Sequence, residues 1–211
     1  MVGLVAAPEF LRSGTDAANI RAEVLPLIHE AGNPYYDWFF GKSSSARSAL
    51  ETLFASPASE ISAGRVTLLV AEKRLLGMYV ALPGAEVARC RLADALVLLG
   101  RTGEEGERRT LSTRIDAARG LFPQISPHEY FLSKIGVVPS YRRRGLGAIL
   151  LDHYLDDGLE AGYQRFRLDV PATNAHAIRL YRSRGFEAMN ERRLAHMSYV
   201  GMVLDSAGDE T

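Results

Sequence analysis

The stretch that decides the reading is Phe131-Leu132-Ser133-Lys134-Ile135-Gly136-Val137-Val138-Pro139-Ser140-Tyr141-Arg142-Arg143-Arg144-Gly145-Leu146-Gly147-Ala148. Residues 131 to 138 are a β-rich run, ended by Pro139, which brings no N–H to a ladder. Three arginines and two glycines then lead into an apolar segment, Ile149 to Ala161, that reads as a helix stopped by Gly162. A strand, a Gly-rich basic turn and a helix start make an anion cradle. Backbone N–H groups of residues 143 to 148 turn inward, and the helix dipole adds partial positive charge. Glycine at 145 and 147 allows close backbone approach to an anion and permits positive φ. An ordinary strand-turn-helix with solvated arginines has the same composition, so the turn alone does not decide between the two.

Three phosphate-binding patterns can be laid over this turn. A P-loop needs Gly-Lys followed by Ser or Thr, and Gly147 is followed by Ala148. Gly41-Lys42-Ser43 supplies the second half of that motif, but the earlier glycine it requires falls on Tyr36. A dinucleotide fingerprint needs Gly or Ala where Leu150 stands, although Asp169 mimics its ribose-binding acid. A nucleotide-binding α/β protein is therefore kept as a minor alternative. The third pattern, Gln/Arg-x-x-Gly-x-Gly/Ala, is matched in full by Arg142-Arg143-Arg144-Gly145-Leu146-Gly147. It is preceded by Val137-Val138-Pro139-Ser140-Tyr141-Arg142 and succeeded by Asn174-Ala175-His176-Ala177-Ile178-Arg179-Leu180-Tyr181-Arg182-Ser183-Arg184-Gly185-Phe186. With these motifs in this order the chain resembles the GNAT superfamily of acyl-CoA-dependent N-acyltransferases. The resemblance is specific over residues 131 to 186, looser over 66 to 82 and weak elsewhere.

That resemblance implies an α/β (α+β) fold, a mixed and mostly antiparallel sheet flanked by helices. It implies a strand pair splayed at Val137, with Val137 and Val138 beside the pantetheine arm of acetyl-CoA. Arg142, Arg143, Arg144, Gly145, Leu146, Gly147 and Ala148 would take the pyrophosphate, and Asn174 would orient cofactor or cap its own helix. The implied reaction is transfer of an acetyl group to a primary amine by direct attack in a ternary complex. Positioning supplies most of the catalysis, with the Val137 N–H polarising the thioester carbonyl. Tyr181, at the family's tyrosine, is the expected acid for the leaving thiolate.

For the base, the family often uses a carboxylate on the strand before the loop, directly or through water. Period-2 alternation sets Glu129, Ser133 and Val137 on one face of that strand if no bulge intervenes. Glu129 would then act as base and Ser133 would hold a water. A bulge would flip that parity, and Glu72 at the end of the preceding hairpin is a further carboxylate.

Outward from this core, Val66 to Glu72 and Leu75 to Leu82 read as a hairpin turning at Lys73-Arg74. Residues 83 to 128 read as a helical insertion whose charged patch, Gly100 to Arg109, is an exposed loop. Before the hairpin, Thr15-Asp16 would cap a helix bearing Ile20, Val24, Leu27 and Ile28, which Pro26 kinks or divides. The aromatic run Tyr35 to Phe40 is a helix docking on a core, or a pocket wall. Ser43-Ser44-Ser45 caps a short helix over 46 to 54. After the cradle come a strand over 166 to 170, a helix over 174 to 184 with Gly185 as its C′ glycine, and a final strand over 193 to 204. The expected organisation is one domain: helices and substrate side (1–65), hairpin (66–82), helical insertion (83–128) and acyl-CoA core (129–204).

With 25 Lys+Arg against 25 Asp+Glu in 211 residues, there is no global field to hold nucleic acid or an anionic membrane. The lone Cys90 and the absence of a signal-like N-terminus point to the cytoplasm. Five scattered histidines lack ligand spacing, so no metal is expected. The expected partner is a small-molecule or peptide amine, with a homodimer as the assembly. A CoA-binding sensor without turnover is the alternative from another class.

Overall fold

The computed structural model describes residues 7–12, 17–41 and 44–206, with the side chains of all of these except 17–21 and 44–45. In chain order the elements are β1 (Glu9–Arg12), α1 (Ala17–Ala31), α2 (Tyr35–Phe40), α3 (Ser44–Ala55), β2 (Val66–Ala71), β3 (Arg74–Pro83), α4 (Gly84–Arg101) and α5 (Glu105–Leu121). They continue with β4 (Glu129–Val137), α6 (Leu146–Glu160), β5 (Arg165–Pro171), α7 (Ala175–Arg182), β6 (Glu187–Leu194) and β7 (Met197–Asp205). The strands form a seven-stranded sheet in the order β1-β2-β3-β4-β5-β7-β6. Every neighbouring pair is antiparallel except β4–β5. A sheet so dominated by antiparallel pairs is not doubly wound, which removes the dinucleotide-binding alternative.

All six residues of β2 are buried, because helices cover both faces of the sheet at its centre. One face packs Val66, Leu68, Met78 and Val80 against Val24 and Ile28 of α1 and Leu50 of α3. The other packs Leu69, Leu76 and Leu132 against Leu150 and Tyr154 of α6 and Tyr181 of α7. Each fully buried aliphatic side chain in these layers contributes ~1.5–3 kcal/mol.

Four expectations change. The hairpin turns at Glu72-Lys73, both with positive φ (50° and 61°), the type I′ geometry that matches strand twist. Glu72 is thereby an exposed turn carboxylate. Pro26 does not divide α1, which runs through it. The charged patch 100–109 is mostly helix, α4 continuing to Arg101 and α5 starting at Glu105. Strands β1 and β6 were not legible: β1 is four residues long, and β6 is largely exposed and charged. The expected caps Thr15-Asp16 and Ser43, together with Ile20's side chain, lie outside the described residues.

Candidate active site

The site starts from a fork between the two parallel strands. β4 and β5 pair from Glu129↔Arg165 to Leu132↔Leu168, and there the pairing ends. On its other edge β4 stays zipped to β3 through Val137, with a register shift that leaves Ser133 as an extra residue. That bulge turns Ser133 and Lys134 to the same side of the sheet and reverses the side-chain parity from there to the end of β4. Glu129 and Val137 therefore face opposite sides, against the bulge-free expectation: Val137 and Ile135 pack with the α6 layer. Val138 N–H donates to Leu76 C=O at 2.9 Å, which makes Gly77–Val137 a non-hydrogen-bonded pair. The N–H and C=O of Val137 accordingly point away from β3, into the fork.

On one side of the fork lies the cradle. Gly145 caps α6 in the left-handed conformation, φ 81°, and Arg143 also has positive φ, 61°. Among the described residues no N–H from 143 to 147 donates to another backbone group outside regular structure, whereas Ala148 N–H is spent on Gly145 C=O at 3.0 Å. The cradle is thus one donor shorter than expected. A Cβ on Gly145 would meet nothing within 4 Å, so what excludes other residues is its φ. Gly147 has ordinary φ, and a Cβ there would sit 3.3 Å from Leu180.

The other expected cofactor residues divide. Arg143 and Arg144 are exposed, the latter 5.6 Å from the Tyr141 ring centroid. Arg142 instead donates to Val137 C=O at 3.0 Å and to the Glu30 carboxylate at 2.7 Å, tying the loop to α1. Val138 spends its C=O on Tyr141 N–H at 2.9 Å, so both of its backbone groups are engaged within the protein. Asn174 caps α7, accepting from Ala177 N–H at 3.1 Å.

On the other side of the fork is a cavity of about 460 Å³. Ser133 and Lys134 from β4 and Asp169 and Pro171 from β5, the first residues past the fork, form its floor. The walls are Tyr35, Tyr36 and Phe39 from α2, Arg91, Asp94 and Leu98 from α4, Ile115 from α5, Phe122 and Tyr199. The aromatic run of α2 is both core and wall: Tyr36 and Phe39 are buried while Tyr35 stacks edge-on against Phe122, 4.9 Å between centroids.

Charge is concentrated on this floor. Glu60 accepts from Ser133 Oγ and from Arg91 Nε at 3.1 Å, with Lys134 Nζ 3.5 Å away. Burial pushes the Glu60 carboxyl up, but Lys134, Arg91 and the Ser133 hydroxyl outweigh it and hold it at about 2. Burial lowers Lys134 from its usual value, with Glu60 opposing. Asp94 accepts Glu60 N–H at 3.3 Å on Oδ2, and burial together with Glu60's charge raises it to about 6 against a hydrogen bond from Ser59. Asp169 is clasped by Arg192 and, at 3.3 Å, by Arg167. Asp94 Oδ1 and Asp169 Oδ2 are covered and have no hydrogen-bond partner.

Of the expected catalytic residues, Ser133 reaches the cavity and Glu129 does not. The Glu129 carboxylate accepts Ser126 N–H at 2.8 Å and pairs with Arg165 at 3.2 Å, fastening the start of β4. Tyr181 is buried in the α6–α7 layer beside Phe186, 6.0 Å between centroids. Its hydroxyl has no hydrogen-bond partner among the described residues, and burial raises it well above the ordinary tyrosine value. Missed from sequence were Glu60, Arg91, Lys134 and the cavity role of Asp94. A lone acid inside the apolar run Leu92 to Leu99 was the one available signal.

A Gly-capped helix at the open end of a forked, mostly antiparallel sheet is the architecture of the solved acetyltransferases that the chain resembles in fold. Residues 104–186 match the model of the Acetyltransferase (GNAT) family. Over 95 residues it is 39% identical to the [ribosomal protein bS18]-alanine N-acetyltransferase of Salmonella typhimurium, covering 43% of this chain and 64% of that protein. The match thus spans just under two thirds of that relative's length. In fold it is similar to an N-acetyltransferase from Staphylococcus aureus Mu50, with TM-score 0.68, 15% identity and coverage of 93% of this chain and 100% of the other. It is also similar to a Bacillus subtilis acetyltransferase solved in complex with CoA, with TM-score 0.50, 15% identity and coverage of 94% and 97%. No helix of the described residues is long and apolar enough to cross a membrane.

Proposed function

We propose that the protein transfers an acetyl group from acetyl-CoA to a primary amine by direct attack. The observation that carries this is the fork itself, with a backbone anion cradle on one side and an aromatic-walled cavity on the other. The N–H groups of 143 to 147 and the helix dipole of α6 hold the pyrophosphate, with Arg143 and Arg144 adding charge. Arg142 works indirectly, by bracing the loop against Val137 and Glu30. Val137 offers its N–H to the thioester carbonyl, where negative charge grows during attack. Leu146 and Gly147 contribute through their N–H groups, whereas Val138, Ala148 and Asn174 shape this wall rather than donate to it.

The amine enters from the cavity, and its nitrogen bonds to the carbonyl carbon as the carbon–sulfur bond breaks. Asp169, the first β5 residue past the fork, takes the amine's proton on its unpartnered oxygen, a role Glu129 is turned away from. Tyr181, kept protonated by burial, supplies a proton to the departing sulfur. Ser133 orders the floor through Glu60. Cytoplasmic residence fits such a reaction, as does a small-molecule or peptide amine as partner. Free-thiol release from acetyl-CoA over an amine panel, run beside equilibrium CoA binding, tests the reading. Release with at least one amine supports it, and CoA binding without release for any amine converts the protein into a sensor.

A further inference from the structure

The cavity's cations are paired, while two of its carboxylate oxygens are not. Lys134 Nζ is held by Ser133 Oγ at 2.9 Å, Ser133 C=O at 3.1 Å and Glu60. Arg91 is held by Glu60 and by the Phe122 and Pro123 carbonyls at 3.2 and 3.0 Å. Arg119, the remaining cation on the lining, is 76% exposed at the rim and pairs with Asp116. The covered, unpartnered polar side-chain atoms of the lining, among the described residues, are both carboxylate oxygens: Asp94 Oδ1 and Asp169 Oδ2. Asp169 is 3% exposed. A cavity whose cations are all paired and whose covered, unpartnered atoms are both acceptors calls for a ligand that brings donors at two points. Leaving a buried carboxylate oxygen without a donor is costly, and an ammonium makes the strong, charge-assisted bond.

The two carboxylates sit on different elements, Asp94 on the α4 wall and Asp169 on the β5 floor, with Tyr35, Phe39 and Phe122 among the surfaces around them. An alkyl chain suits those apolar surfaces, and the volume is that of a small-molecule site. Resting on the acetyl-transfer reading, we propose that the acceptor is a small aliphatic diamine. Asp169 receives the reacting amine and Asp94 recognises the second, unreacted ammonium. Asp94 is then a specificity-determining residue.

The test compares 1,5-diaminopentane with n-pentylamine, which has the same chain and one amine fewer. Equilibrium binding of each to the protein with CoA is measured by calorimetry, and thiol release from acetyl-CoA is monitored separately. The diamine is expected to bind at least tenfold more tightly, and in Asp94→Asn that ratio falls to within twofold. Asparagine keeps an oxygen to accept Glu60 N–H, so the variant retains the wall's geometry. A wild-type ratio within twofold, a tenfold ratio that survives in Asp94→Asn, or a higher kcat/KM for an alanine-initiated peptide than for the diamine overturns the proposal. Tight diamine binding without thiol release for any amine leaves the diamine site standing and removes acetyl transfer instead.

Discussion

The cradle and the cavity meet at one fork and are built by opposite means. The cradle is a run of consecutive residues, 142 to 148, that works through backbone N–H groups and a left-handed glycine. The cavity draws on α2, α4, α5, β4, β5 and β7, and works through side chains paired across long sequence separations. A backbone site is set by local conformation and carries its recognition in a short pattern. A side-chain site depends on which elements the fold brings together, so its charged groups serve folding and binding at once. Changes in the cradle should therefore cost ligand affinity, and changes on the cavity floor should cost stability as well.

The largest effects are expected where the two regions touch. Asp169→Asn and Tyr181→Phe should each lower turnover by roughly 10²–10⁴-fold, the usual worth of a positioned acid or base. CoA affinity should stay within twofold of wild type, because neither group belongs to the cradle. Steady-state thiol release beside CoA titration reads both numbers, and undiminished turnover in either variant removes that residue from the chemistry. Next comes Glu60→Gln, which leaves Lys134 and Arg91 without their shared carboxylate. Removing one partner of a buried ion pair costs ~3–5 kcal/mol. Denaturant unfolding should show this loss; a change under 1 kcal/mol on that curve would mean that the floor is solvated and the contrast with the cradle is false.

The same contrast explains what could be read from the chain. The strand, turn and helix of 131 to 160 were legible because Pro139, Gly145 and Gly162 each force a local backbone state. The base could not be placed because one extra residue, Ser133, inverts the side-chain parity of β4, and a bulge leaves no mark in residue type. Glu60 stands between α3 and β2 with nothing in its neighbours to signal a charge cluster; Lys134 and Arg91 reach it only through the packing of β4 and α4. Asn174, expected to orient cofactor or cap its own helix, does cap it, and Val138, expected beside the cofactor, has both backbone groups engaged within the protein.

A smaller effect sharpens the comparison from the cradle side. Gly145→Ala places a Cβ in open space, so no clash within the protein confuses the result. The left-handed φ of 81° costs a non-glycine residue ~1–2 kcal/mol, and the loop relieves this by leaving the conformation that aligns its N–H groups. CoA affinity should fall roughly tenfold, with less loss of stability than Glu60→Gln causes. Unchanged affinity would show that the N–H groups of 143 to 147 do not grip the coenzyme.

The smallest effect separates two carboxylates of the same cavity. Asp94 titrates at about 6 in the folded protein against an ordinary 3.8, faced by Ser59 and Glu60 from the segment after α3 and by Lys134 from β4. Glu60 is shifted the other way, to about 2 from 4.5. A raised carboxyl makes the folded state take up a proton before the unfolded chain does, so lowering pH from 7 to 5 should stabilise the protein by about 1 kcal/mol through Asp94. Glu60 contributes stability that is fully present above pH 4.5 and is lost as pH falls towards 2, so it is silent in that window. The difference in unfolding free energy between wild type and Asp94→Asn at pH 7 and pH 5 isolates the Asp94 share. A difference that stays constant across the two pH values means that Asp94 is not held out of water as the cavity's architecture requires, and its place as the second anchor falls with it.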